Sequence, residues 1–216
     1  MPRKLDLGKG AYTTGTKLLQ QNGVWSDTVS VDGTVGSFTT QGGGWKDILG
    51  YPTARKAVGA GVPTFSAITG AVFYGYKFAV NDSLLFTIHM PHDYKPATAV
   101  YLHTHWVKDG TNVQPVKWQF TVAYAPGYAR GAFPLASPTV ASQTTTPASA
   151  AYTHEITETA SYALASGEVD GLLLVEAKRI TNGGTNNTDG IYLLMMDVHY
   201  QANTVCTKNR NYPFYT

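Results

Sequence analysis

Apolar and polar residues alternate along much of the chain after residue 63. The alternation is clearest in residues 115–124, where every second side chain is apolar. These side chains are Val116, Trp118, Phe120, Val122 and Tyr124. Because successive side chains of a β-strand point to opposite faces of a sheet, the pattern predicts a strand with one buried face.

Other apolar segments follow one another with turn residues between them. They comprise residues 72–79, 83–90, 99–107, 151–158, 171–180 and 191–200. Asn81-Asp82 and Lys108-Asp109-Gly110 are typical turn sequences at the ends of three of these segments. Seven or eight strands with hardly any helical periodicity predict an all-β protein. We interpret it as an antiparallel β-sandwich of the jelly-roll type.

The first 45 residues differ in composition from the rest. Glycine, threonine and serine recur there, and apolar residues are too sparse for a core element. We therefore predict an extended N-terminal arm over residues 1–45, a β-sandwich over 46–205 and a C-terminal tail over 206–216.

Two further segments lack a clear strand pattern. Residues 45–61 are interrupted by Gly50 and Pro52, and we interpret them as a hinge with short helical pieces. Residues 125–149 are rich in Pro, Ala, Ser and Thr and predict a long loop, which is unusual in a compact domain unless it serves a purpose.

Four aromatic residues of the arm and tail are candidates for contacts with a partner. They are Trp25, Trp45, Tyr212 and Phe214. Large aromatic side chains supply much of the binding energy where one protein docks on another. The two tryptophans are equally able to pack on the chain's own sandwich, and the sequence leaves both arrangements open.

Composition argues against nucleic-acid and membrane partners. Charged residues make up 14% of the chain and the formal net charge is +2, with no large basic cluster. No apolar run approaches the length of about 18 residues that a transmembrane helix needs. Cys206 is the only cysteine, which excludes an intrachain disulfide. The N-terminal segment lacks the apolar stretch of a signal peptide, so we expect the chain to remain in a reducing cytoplasm.

A histidine pair is the main candidate for chemistry. Alternation places Tyr101, His103 and His105 on one face of the predicted strand, opposite the apolar face. That apolar face consists of Val100, Leu102 and Trp106. The two imidazoles could hold a mononuclear metal, share one ion with their copies on a three-fold axis, or serve as hydrogen-bonded sheet histidines. The third interpretation, with no cofactor, is favoured.

A cupin-type metal centre is the specific enzymatic hypothesis. Cupins use His-x-His followed by an acidic residue inside a β-barrel, and Asp109 lies where such a residue could fall. The cupin pattern has Glu at that position, Gly where this chain has Ala97, and a later Gly-Pro-Gly-His segment that is absent here. His154 or His199 could supply a third ligand, but the sequence places neither.

A longer series of residues resembles a group of tailed-bacteriophage virion proteins over about residues 45–205. The series runs from Pro91-His92-x-Tyr94-Lys95 through Tyr101-x-His103-x-His105-Trp106, Trp118, Tyr152-x-His154-x-Ile156 and Asp197-x-His199-Tyr200. The resemblance implies a jelly-roll structural subunit of the virion, assembled in the host bacterial cytoplasm. It transfers no catalytic residue.

This resemblance leads to our functional expectation. We expect a non-enzymatic capsid decoration or cement subunit that forms a homotrimer through its β-sandwich. Its N-terminal arm would dock on the major capsid protein or on other virion proteins, and repeated contacts on a symmetric shell would add to the affinity. The alternatives are a tail or fibre subunit that binds a host-surface glycan and a cupin-like metalloenzyme.

Overall fold

A computed structural model describes residues 45–54, 61–68, 72–136, 138–164 and 166–203. The predicted arm up to residue 44 and nearly all of the predicted tail lie outside these ranges. Trp25, Tyr212 and Phe214 therefore also lie outside the described residues. Within the described ranges, no helical segment is present that could cross a lipid bilayer.

Eleven strands make up the described part of the chain. They are β1 (Trp45–Ala54), β2 (Thr64–Ala67), β3 (Tyr74–Phe78), β4 (Ser83–His89), β5 (Ala99–Lys108), β6 (Val116–Ala125), β7 (Thr139–Thr145), β8 (Glu155–Glu158), β9 (Tyr162–Ala163), β10 (Leu172–Ile180) and β11 (Ile191–Gln201).

The strands form two antiparallel sheets. One sheet has the order β3-β11-β5-β8, and the other has the order β4-β10-β6-β7. Each sheet thus combines early and late strands of the chain, which is the arrangement of an eight-stranded jelly roll. The predicted all-β sandwich is confirmed. Short β2 extends the first sheet beside β3, and β9 pairs with the start of β5.

The core lies between the two sheets, where the inner face of each strand is apolar. Trp106 of β5, Trp118 of β6 and Leu173 of β10 are completely buried there. The ring of Phe78 meets that of Trp118 edge-to-face at a centroid distance of 5.1 Å. Full burial of each such side chain stabilises the fold by about 1.5–3 kcal/mol. The alternation in residues 115–124 therefore did identify a half-buried strand correctly.

The predicted hinge over residues 45–61 is wrong in its first half, which is strand β1. Trp45–Gly50 pairs with β11 of the first sheet, and Tyr51, Pro52 and Ala54 pair with β4 of the second. A Cβ atom on Gly50 would lie 3.2 Å from Ile88 and 3.3 Å from the Met196 carbonyl oxygen, so the crossing point favours glycine. Pro52 borders an irregularity of the ladder, where a missing N–H is tolerated.

The predicted loop over residues 125–149 contains strand β7. This strand lies at the edge of its sheet and pairs with β6 alone among the described strands. Most of its described side chains are exposed, including Val140 and Gln143. An edge strand of this kind buries little on either face, and so its sequence shows no apolar alternation.

Candidate functional site

The outer face of β5 carries the histidine pair that the sequence singled out. Val100, Leu102 and Trp106 point into the core and are completely buried, as the alternation predicted. His103 and His105 lie on the opposite face, away from the core. A cupin-type site would lie inside a barrel, so this position differs from that hypothesis.

Strands β8 and β11 flank β5 and bring further titratable groups to the same face. His103 is directly opposite Glu158 of β8 on one side and Asp197 of β11 on the other. We name the resulting group the histidine cluster. It consists of His103, His105, His154, Glu158, Asp197 and His199.

His103 lies between two carboxylates. Its Nε2 contacts Glu158 Oε2, and its Nδ1 lies 3.5 Å from Asp197 Oδ1. His103 and Asp197 are each only 4% exposed. Neither His103 Nδ1 nor Asp197 Oδ1 has a hydrogen-bond partner within the described part of the chain. Buried polar atoms are nearly always hydrogen-bonded, so these two facing atoms require an explanation.

His105 bridges Asp197 and a further histidine. Its Nε2 lies 3.2 Å from Asp197 Oδ2, and its Nδ1 lies 2.8 Å from Nε2 of the exposed His154. Burial lowers the pKa of His105, and the nearby His154 and His103 lower it further against the opposing charge of Asp197. A neutral His105 can donate one hydrogen bond and accept the other.

His199 completes the cluster on the side nearest β1. Its ring lies 3.7 Å from that of His103 between centroids, and its Nδ1 lies 3.6 Å from Glu158 Oε2. Its Nε2 contacts Asp47 Oδ1 of β1. His199 therefore links the cluster to the strand that joins the two sheets.

These groups have the chemistry of a metal site. Among the described residues, three sets offer one ligand atom each within 4.8 Å of one another. The sets are His103, Glu158 and His199; His103, His105 and Asp197; and Asp47, Asp197 and His199. Imidazole and carboxylate ligands together suit first-row transition metals such as zinc or iron.

Asp109, the acid suggested by the cupin comparison, is not part of this cluster. It accepts a hydrogen bond from the Gly190 amide and lies 3.4 Å from Lys77 Nζ. The acids beside the histidine pair are Asp197 and Glu158. The Asp197-x-His199 spacing does place both side chains on one face of a strand, but the sequence does not pair that strand with β5.

A second group of histidines lies at another edge of the molecule. Asp170 Oδ1 is 2.9 Å from His89 Nε2 and 3.2 Å from His92 Nε2. The His89 side chain is 57% exposed, unlike the buried members of the histidine cluster. This second group therefore allows exposed histidine–carboxylate contacts to be compared with the buried ones of the histidine cluster.

Of the four aromatic residues predicted to contact a partner, Trp45 lies within the described residues. It is the first residue of β1 and is half-exposed. Its ring meets that of Tyr101 edge-to-face at 5.4 Å. Trp45 thus packs partly on the chain's own sandwich and leaves the rest of its ring to solvent.

Exposed apolar side chains concentrate at the junction of β1 and β3 beside β11, with β2 next to β3. We name this region the β1–β3 apolar surface. It comprises the exposed residues Leu49, Tyr51, Phe65, Tyr74, Leu194 and Met195, together with the partly buried Tyr76 that packs against the core. Phe65 stacks on Tyr74 at 5.7 Å and lies 5.0 Å from Tyr76, which in turn lines a shallow cleft with Leu49 and Tyr51.

A larger apolar cleft of about 460 Å³ lies on the outer face of the second sheet. Leu85, Leu174 and Ala123 of the sheet form its floor, and Leu135 and Pro138 lie on its side. Part of the segment that was predicted as a long loop therefore covers this sheet.

Comparisons with known proteins do not identify a family. No protein-family model and no curated protein matches the sequence. Among solved structures, the chain is similar to dimeric latent PorU from Porphyromonas gingivalis, with 11% identity and a TM-score of 0.37 over 76% of this chain. It is also similar to the CBM22-1–GH10 modules of xylanase 10B from Clostridium thermocellum, with 14% identity and a TM-score of 0.34 over 77% of this chain. The chain spans only 13% and 28% of those two structures.

Proposed function

We propose that this protein is a non-enzymatic structural subunit of a tailed-bacteriophage virion. In this proposal it is a capsid decoration subunit that self-associates through its β-sandwich and docks through its N-terminal arm. The observation that carries the proposal is the β1–β3 apolar surface. The order of residues that resembles phage virion proteins supplies the biological setting.

The β1–β3 apolar surface is too exposed to serve the core. Tyr51, Phe65 and Tyr74 are 66%, 52% and 59% exposed, although each is large and aromatic. Contiguous apolar patches of this kind mark interaction sites on soluble proteins. We assign this surface to contacts between copies of the same chain, which would form the homotrimer.

The histidine cluster is consistent with an architectural role. It lies on the outer face of a sheet whose inner face is filled by Val100, Leu102 and Trp106. A site on a packed sheet can join neighbouring strands without a substrate chamber behind it.

The oligomeric state of the purified chain tests this proposal. Sedimentation analysis at micromolar concentration should give a trimer. Replacing Phe65 and Tyr74 together by Ser should shift the protein to monomers, because both aromatic rings would be lost from the contact. The matched control replaces two exposed residues near the other sheet by Ser, Leu135 in the turn before β7 and Val140 in β7, and should leave the trimer intact. A native chain that remains monomeric would contradict self-association through this surface.

The arm is tested separately by deleting residues 1–44. The shortened chain should remain a folded trimer and should no longer bind virus particles that lack the subunit. Normal binding of the shortened chain to such particles would refute the role of the arm. The full-length chain is the positive control.

The stacked rings of Phe65 and Tyr74 also favour a second candidate function. Exposed aromatic rings can pack against sugar rings, as a tail or fibre subunit that binds a host-surface glycan would require. A glycan array with the native chain tests this candidate. Binding that is lost in Tyr74→Ser while the oligomer persists would support it over the decoration subunit.

A further inference from the structure

We infer that the histidine cluster binds one divalent transition-metal ion per chain, with His103 Nδ1, His105 Nε2 and the Asp197 carboxylate as its ligands. The site shares no residue with the β1–β3 apolar surface, but it adjoins that surface, because Leu49 and Met195 lie directly opposite Asp197 and His105 in the ladders. The ion would join β5 to β11, two neighbouring strands of the same sheet.

The unpartnered atoms point to this ligand set. His103 Nδ1 and Asp197 Oδ1 face each other across 3.5 Å in a region where both side chains are nine-tenths or more buried. His105 Nε2 lies 3.2 Å from the other carboxylate oxygen. Ligands held about 2.0–2.1 Å from a zinc ion lie roughly 3–3.5 Å from one another. Both histidine nitrogens therefore lie at ligand spacing from the carboxylate, and the three ligand atoms are all within 4.8 Å of one another.

Glu158 and His154 hold the two histidine ligands in position. Glu158 Oε2 contacts the second ring nitrogen of His103, and His154 Nε2 lies 2.8 Å from the second ring nitrogen of His105. Metal-bound histidines usually have their other ring nitrogen fixed in this way, most often by a carboxylate. Both histidines of the His103, His105 and Asp197 set thus have a partner for the ring nitrogen that faces away from the ion.

A rival set uses His103 Nε2, Glu158 and His199. In that arrangement, the short contact between His103 and Glu158 would have to open to admit an ion. The Glu158 side chain is also 48% exposed and that of His199 is 32% exposed, whereas the Asp197 side chain is 6% exposed. The buried set leaves fewer polar atoms unpaired, and we assign the ion to it.

The ligand chemistry selects the class of ion. Two imidazoles and one carboxylate suit Zn²⁺, Co²⁺, Ni²⁺ or Fe²⁺. Mg²⁺ and Ca²⁺ prefer shells of oxygen ligands and should bind weakly here. Zn²⁺ is a suitable ion for titration because it is redox-inert, and Co²⁺ reports its ligand geometry through visible absorption.

Zinc titration of the full-length chain tests the site. After chelator treatment and removal of the chelator, calorimetry should give a stoichiometry near one Zn²⁺ per chain. Zn²⁺ should also raise the melting temperature of the native chain, because an ion that binds the folded state alone stabilises it. Mg²⁺ should do neither. A native chain without saturable Zn²⁺ binding overturns the inference, and one ion per three chains replaces it with an ion shared on a trimer axis.

Variants test the ligand assignment. Asp197→Asn, in protein shown to be folded by circular dichroism, should weaken Zn²⁺ binding by more than the 10-fold to 100-fold that is typical of a supporting residue. Glu158→Gln should weaken it by about 10-fold to 100-fold. The matched control is His89→Gln, another histidine beside a carboxylate, which should leave the affinity unchanged. Unchanged binding in Asp197→Asn, or a greater loss in His199→Gln than in Asp197→Asn, overturns the assignment.

Discussion

The two faces of strand β5 both carry buried side chains, but those of the inner face make apolar contacts and those of the outer face make polar contacts. On the inner face, Leu102 and Trp106 contact other apolar side chains of the core. On the outer face, His103 is 4% exposed and lies between Glu158 and Asp197. Apolar packing is non-directional, whereas each polar contact depends on one particular partner. Substitutions by smaller residues on the inner face should therefore destabilise the protein by leaving a cavity. Substitutions on the outer face should destabilise it by leaving a polar group without its hydrogen-bond partner.

The largest effect is expected on the inner face. Trp106→Ala should lower the free energy of unfolding by about 3–5 kcal/mol, because it removes a fully buried side chain and leaves a cavity. It also removes the hydrogen bond that Trp106 Nε1 donates to Thr157 Oγ1 at 3.0 Å. Urea unfolding measures the change, and Trp45→Ala at a half-exposed position is the control. Equal losses in the two variants would contradict the assignment of Trp106 to the core.

A smaller loss is expected when the outer face loses its central acceptor. Asp197→Ala should lower the free energy of unfolding by about 1–3 kcal/mol, because His105 Nε2 loses its hydrogen-bond acceptor in a mostly buried site. The control is Asp170→Asn, where a partly exposed carboxylate serves His89 and His92. That change should cost about 0–1 kcal/mol, as exposed ion pairs do. If Asp170→Asn destabilised the protein as much as Asp197→Ala, burial would not explain the difference expected between these two carboxylates.

Asp93 allows the contribution of a carboxylate charge to stability to be measured without a histidine partner, because Lys46 and Tyr200 are its hydrogen-bond donors. Burial alone would raise the pKa of Asp93, but hydrogen bonds from Lys46 and Tyr200 outweigh it and hold the pKa below the usual 3.8. Because the folded-state pKa is the lower one, the ionised group stabilises the protein above pH 3.8, and this contribution is lost as the pH falls through the folded-state value. Asp93→Asn should therefore cost about 1–2 kcal/mol at pH 7.

The same variant should approach the stability of the native chain in strong acid, where the native carboxyl is also neutral. Urea unfolding of both proteins between neutral and acidic pH tests the sign. A difference that grows on acidification would show that Asp93 does not act through its charge.

The smallest effect is expected at the rim of the histidine cluster. His154→Ala should change the free energy of unfolding by about 0.5 kcal/mol or less, because the side chain is exposed and surface substitutions are usually nearly neutral. Thermal unfolding is sufficient to measure it. A decrease in the free energy of unfolding as large as that of Asp197→Ala would show that His154 belongs to the buried network of the outer face.

The sequence predicted the inner face of β5 well because alternation is a local property. Val100, Leu102 and Trp106 have the spacing of one sheet face, and the core needs no more information than that. The strand over residues 115–124 was recognisable for the same reason. The order of strands within the sheets was then restricted by the known β-sandwich architectures to a few arrangements.

The outer face could not be predicted because its members are far apart in sequence. His105 contacts His154 and Asp197, which are 49 and 92 residues away, and His103 contacts Glu158, which is 55 residues away. These contacts depend on the registers of β8 and β11 against β5. No periodicity within a single strand contains that information.

The errors in secondary structure have a related cause. Gly50 and Pro52 were interpreted as breaks because their usual local effects are to end a regular element. In the fold they occupy the crossing of β1 between two sheets, where a Cβ atom at Gly50 would be tightly packed against Ile88 and the Met196 carbonyl and the ladder is irregular at Pro52. Tertiary context thus decided the structure at this position.

The crossing of β1 also has a mechanical consequence. Its first half is hydrogen-bonded to β11 and its second half to β4, so tension along this strand reaches both layers at the same time. Antiparallel hydrogen bonds run perpendicular to the strands, and such a load would therefore shear both ladders together instead of opening one bond after another. A load applied at Trp45 would thus be resisted by ladders in both sheets, those with β11 and with β4.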